Sequence, residues 1–90
     1  MIIRFLEIDE NEAYLLGYEL KLSPTERKIL FTIAKSESIT ADALLELLPT
    51  NLSRGNITVH ICSINKKARL LSGRKLVLYE KGSYKLNPYM

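Results

Sequence analysis

Ninety residues, 47% of them hydrophobic, suffice for one buried core and leave little for a second. One cysteine excludes an internal disulfide, and with a single histidine it supplies no ligand set for a zinc site, so no cofactor is expected and the setting reads as reducing and cytoplasmic. The net charge of +3 conceals a division: residues 1 to 53 hold five cations against nine acids, a net of −4, while residues 54 to 90 hold eight cations against Glu80 alone, a net of +7.

The chain opens with IIRFLEID, which reads as a strand closed by the turn formers Asp9, Glu10 and Asn11. A second strand is expected over residues 12 to 16. Gly17 then permits a tight turn, and a third strand returns with Tyr18, Leu20 and Leu22 alternating against Glu19 and Lys21. Residues 1 to 22 thus form an antiparallel sheet that covers a helical core or meets a neighbouring domain.

At Ser23 the hydrophobic period changes from that of a strand to that of a helix. Ser23, Pro24, Thr25 and Glu26 spell a capping box with proline in the first helical position. Ile29, Leu30, Ile33 and Ala34 give this helix its buried face, and it ends near Ser36. Thr40 caps a second helix, with Ile39 and Leu44 placed as a hydrophobic staple and Pro49 as its stop. Leu44, Leu45, Leu47 and Leu48 are all expected to bury surface, and PTNLS links onward.

Residues 54 to 71, RGNITVHICSINKKARLL, form a long amphipathic helix. Ile57, Ile61, Ile64, Ala68 and Leu71 recur at spacings of four, three, four and three, one narrow core-facing stripe. The other side holds Arg54, Asn56, Thr58, Ser63, Lys66 and Arg69, cations and small polar groups without a carboxylate. A solvated helix usually mixes both signs, so such a face points to an anionic partner, and duplex DNA fits because its major groove admits a helix.

Ser72 and Gly73 end the helix, the glycine suiting a left-handed cap. KLVLYE, the turn Lys81–Gly82 and SYKL then form a terminal hairpin with a cationic tip, spanning residues 74 to 87. The order is sheet, three helices over residues 23 to 72, then hairpin. This is an α+β chain with the element order of a winged helix-turn-helix in one domain over residues 1 to 90.

Three segments resemble the OmpR/PhoB-type DNA-binding domains of response regulators. LSPTERKIL is similar to the motif opening their first helix, NITVHICSINKKA to their recognition helix, and KGSYKL to the end of their wing. The resemblance spans essentially the whole chain, N-terminal sheet included. It implies a sequence-specific effector of a bacterial two-component regulator, with residues 54–71 in the major groove and the wing, residues 79–84, near the minor groove. It also implies binding as a tandem dimer on direct repeats, and an upstream receiver domain.

On matching positions the resemblance places Asn56, Val59 and Ser63 against bases, with Thr58 and Lys66 beside them. Amide and hydroxyl groups there suit base edges, and Val59 suits a thymine methyl. Arg54, Lys67, Lys81 and Tyr84 are candidates for phosphate contacts that position without specifying. His60 has two readings, a backbone neighbour or a histidine packed at the helix rim; Tyr84 likewise reads as a phosphate contact or as a wing core residue. Departures from the family are Ile64–Asn65 in place of its Leu-Arg pair, a wing shorter by one residue before Tyr84, and Gly55 in the first helical turn, costing on the order of 1 kcal/mol against alanine.

Catalysis finds no support in the sequence. His60 and Cys62 lie two apart on a helix and point to different faces, and no glycine-rich phosphate loop is present. The longest charge-free segment, Gly55 to Asn65, is too short to span a bilayer, so no membrane partner is expected. The competing reading is a winged helix diverted to protein docking or dimerisation through its acidic strands and leucine-rich second helix.

Overall fold

The computed structural model describes residues 2–48 and 52–88. Its N-terminal sheet has four strands in sequential antiparallel order: β1 (Ile2–Ile3), β2 (Leu6–Ile8), β3 (Ala13–Leu15) and β4 (Tyr18–Glu19). The single opening strand expected from IIRFLEID is therefore two. The chain reverses at Arg4, whose φ is +50°, and the Arg4 guanidinium donates to the Pro88 carbonyl at 2.9 Å. That partner lies at the other end of the sequence, so no local pattern announces the turn. Ile2, Glu7, Tyr14 and Glu19 stand in register on the outer face, and Leu6, Ile8, Ala13 and Leu15 bury the inner one. The last strand is shorter than expected; beyond it Leu20 N still donates to Ala13 O at 2.8 Å, and Leu20 and Leu22 are buried in the core.

Helix α1 (Pro24–Ala34) starts at the capping box: Ser23 Oγ accepts from Glu26 N at 3.2 Å, and Glu26 Oε1 accepts from Ser23 N at 2.8 Å. Ile29, Leu30 and Ile33 are fully buried on its inner face. Ile39–Thr40, expected only as staple and cap, also forms strand β5. Thr40 then caps α2 (Ala41–Leu47), accepting from Ala43 N at 3.1 Å. Leu44 and Leu48 occupy the core-facing edge of this short helix, Leu45 is half-buried, and Leu47 stands exposed, against expectation. Two turns of helix offer only one inner edge: Leu44 and Leu48, four apart, share it, and Leu47 falls to its flank. The proposed stop at Pro49 and most of the PTNLS link lie outside the described residues.

Helix α3 (Arg54–Ser72) is about 28 Å long at 1.5 Å per residue. Ser53 caps it and Gly73, at φ +76°, closes it in the left-handed conformation that favours glycine. Ile57, Ile61, Ile64 and Ala68 are buried as the stripe requires, and Leu71 packs half-buried at its end. Strands β6 (Val77–Glu80) and β7 (Ser83–Leu86) make the hairpin, turning through Lys81 and Gly82, both at positive φ. β5 pairs with β7, so the hairpin belongs to a three-stranded sheet of order β5-β7-β6. That pairing anchors the wing to the start of α2. One core joins all of these layers, running from Leu6 and Leu15 through Ile29, Leu44 and Ile64 to Leu76.

Candidate nucleic-acid interface

At 100° per residue, burial of the Ile57 to Ala68 stripe turns Gly55, Val59, Cys62, Lys66 and Leu70 outward. Val59 is 65% exposed and Leu70 83%, so this face of α3 is without a cover among the described residues. On one flank Arg54, Thr58 and Asn65 look toward the wing across an open groove of about 530 Å³, whose far wall includes Lys75 and Tyr79. On the other flank Ser63 and Lys67 look toward α1.

Among the described residues, two carboxylates from other elements reach α3, whose own sequence has none. Arg54 Nε donates to Asp42 Oδ1 at 3.0 Å and Nη2 donates to the same oxygen, joining α2 to the first turn of α3. The hydrogen bond from Arg54, and then its charge, hold the Asp42 carboxyl below its usual range. Behind the helix, Lys67 Nζ donates to Glu26 Oε1 at 2.7 Å. Glu26 is only 4% exposed. Burial pushes its carboxyl up, but hydrogen bonds from Lys67, Ser63 and the Ser23 amide, with the Lys67 charge, bring it from 4.5 down to about 2. Of the expected contact residues, then, Lys67 and Ser63 are engaged with α1, and Arg54 is engaged with α2.

Asn65, which stands where the resembling domains carry arginine, has a structural task. Its Oδ1 accepts from Leu76 N at 3.0 Å and Val77 N at 2.8 Å, and its Nδ2 donates to Val77 O at 3.0 Å. One amide thereby fixes the start of β6 against the middle of α3. The strand expected from KLVLYE begins only at Val77. A polar residue flanking the buried stripe was the available signal in the sequence.

The remaining expected residues divide by exposure. Lys66 and Lys81 stand exposed, the latter at the wing tip, and neither forms an ion pair among the described residues; the same holds for Arg69 and Lys75. Thr58 is exposed at the groove, its hydroxyl donating to Arg54 O at 3.1 Å. Asn56 is exposed in the first turn and engaged with Ser53. His60 is half-buried at the helix rim. Tyr84 is buried, so its reading as a wing core residue describes its place, and the aromatic ring that the wing exposes is Tyr79, packed on Tyr84 with centroids 4.8 Å apart. Sequence alternation in KLVLYE marks Tyr79 no differently from Leu78; only the pairing with β7 settles which side of the sheet each occupies.

Among solved structures, the chain is similar to the DNA-binding domain of the response regulator AdeR, determined in complex with an intercistronic region. That likeness has a TM-score of 0.77 at 21% identity and covers 96% of each chain. It is also similar to the C-terminal domain of the nisin resistance regulator NsrR, a lantibiotic response regulator, with a TM-score of 0.75 at 24% identity over 94% of this chain and 93% of that one. The chain has the winged-helix fold of these response-regulator domains. No family profile and no curated protein matches the sequence. In this fold α3 is the third helix and the β6–β7 hairpin the wing, and the groove lies between them. No helix among the described residues is long and apolar enough to cross a membrane, and none of their His, Cys, Asp and Glu residues group as a metal site.

Proposed function

We propose that the chain is the sequence-specific double-stranded DNA-binding effector of a bacterial transcriptional regulator of the response-regulator kind, acting in the cytoplasm. The observation that carries this reading is the distribution of cations. Lys66, Arg69, Lys75 and Lys81 form no ion pairs among the described residues and lie on or beside the uncovered face of α3 and the wing, while the carboxylates Asp42 and Glu26 neutralise cations at the flank and rear. In this reading α3 enters the major groove, with Asn56, Thr58 and Val59 at base edges and Lys66 beside them. The wing tip carries Lys81 to the backbone near the minor groove, His60 lies beside the backbone at the helix rim, and Arg54 meets phosphate once it leaves Asp42. Lys67 and Ser63 act from behind, through Glu26, and Tyr84 supports the wing.

Two copies bind in tandem on a direct repeat, and a receiver domain lies upstream. The competing reading as a protein-docking module draws on the acidic outer sheet, where Glu12, Glu19 and Glu7 surround Tyr14 and raise its phenol above the usual range. Anisotropy on a pool of duplexes separates the two. With about four phosphates neutralised, affinity should fall roughly 100-fold between about 50 and 200 mM salt, and sequencing of the bound fraction should return a direct repeat. An affinity indifferent to salt would favour docking to protein.

A further inference from the structure

The cap of α3 spends one half of a side chain that the interface needs. Ser53 N donates to Asn56 Oδ1 at 3.2 Å, Ser53 Oγ donates to the same oxygen at 3.0 Å, and Ser53 Oγ accepts from Asn56 N at 3.2 Å. Both groups that meet Oδ1 are donors, so the amide has only one orientation there: its oxygen faces Ser53, and its NH₂ group faces away. That Nδ2 has no acceptor among the described residues, and Asn56 is exposed. We infer that Asn56 enters the DNA interface solely as a hydrogen-bond donor, so that it selects base edges rich in acceptors and rejects cytosine.

The inference rests on the DNA-binding reading and sharpens it. An asparagine reads adenine through a paired contact, its oxygen accepting from N6 while its nitrogen donates to N7. Here the oxygen belongs to the helix cap, and offering it to adenine would strip the Ser53 amide, an end group of the helix, of its partner. What remains suits guanine, whose major-groove edge has two acceptors, or thymine, whose O4 is one; cytosine presents only a donor. Val59 stands one turn further on the exposed side, where a thymine methyl would meet it, so thymine satisfies both residues.

Substitution by aspartate separates cap from contact. Asn56→Asp keeps an oxygen for Ser53, in a helical turn that favours acids, and replaces the outward donor with an acceptor. Thermal unfolding should give a midpoint equal to or above that of the parent chain. Selection from randomised duplexes should show the parent favouring guanine or thymine over cytosine at one position, by roughly fivefold for a single hydrogen bond, and the variant moving to cytosine at that position. The added charge lowers affinity for every sequence alike and leaves preferences untouched, so it does not mimic this shift. The same operator preference in both proteins, a parent that favours cytosine at the position that changes, or a variant that unfolds would each overturn the inference. A parent chain with no salt-dependent affinity for any duplex would instead remove the DNA-binding reading, a distinct failure visible before the variant is compared.

Discussion

Asn65 joins α3 to the start of the wing with three hydrogen bonds from one amide. Asn65→Ala leaves two part-buried backbone donors without that partner, and unmade bonds of this kind cost about 1–3 kcal/mol each. Unfolding experiments should show a loss of about 2 kcal/mol, on the order of 10 °C in Tm, with faster amide exchange at Leu76 and Val77. The adjacent lysines make an internal control. Lys66→Ala should leave stability within about 0.5 kcal/mol and flatten the salt slope of DNA binding by about one phosphate's worth. Lys67→Ala should do the reverse, costing about 1–3 kcal/mol by leaving the buried Glu26 carboxylate short of a donor while the salt slope stays put. Titrating salt against affinity for both variants tests the assignment, and interchanged results would reverse it.

Elements constrain one another at the first turn of α3. Its N-cap, its glycine and its ion pair with α2 fall within four residues, where the helix would approach the DNA backbone. Asp42 and Arg54 are both largely exposed, and such pairs typically contribute less than about 1 kcal/mol. Asp42→Asn should therefore barely move the unfolding midpoint. It should tighten DNA binding and steepen its salt dependence, because Arg54 no longer leaves a carboxylate to reach phosphate; anisotropy at two salt concentrations measures both. A β-carbon at Gly55 would meet only Ser53 Oγ, at 3.7 Å, an ordinary contact. Gly55→Ala should accordingly stabilise the helix by about 0.5 kcal/mol in thermal unfolding.

Over the whole molecule, charge of one sign gathers at one end of the sequence and charge of the other sign at the opposite end, and Glu26, an acid of the first part, is buried where it meets Lys67 of the second. Its carboxyl titrates near 4.5 in ordinary surroundings and near 2 in the folded chain. A depressed folded value means that the contribution is present in full above about 4.5 and is lost as pH falls toward about 2. Asp9, held low by the amides of Asn11 and Glu12, and Asp42, held low by Arg54, act with the same sign. Denaturant melts across this range should show stability declining with acid, and Glu26→Gln should flatten the decline while lowering stability at neutral pH.

The sequence by itself determined what depends on neighbours along the chain. The capping box at Ser23, the cap at Thr40, the isoleucine stripe of α3, the left-handed stop at Gly73 and the Lys81–Gly82 turn all involve residues within four or so positions of each other, and each stands as the spacing requires. The contrast in charge between the two parts was equally plain, being a matter of counting. Tertiary structure alone decided which cations on α3 remain available, because Asp42 and Glu26 arrive from 12 and 41 residues away. It also decided the break in the first strand at Arg4, whose partner lies 84 residues on, and the pairing of Ile39–Thr40 with β7. Hydrophobic period reports which face of an element is buried, since that depends on repeat alone. It carries no information about which distant carboxylate or amide will be brought against the other face, and that decides which side chains are left to meet a partner.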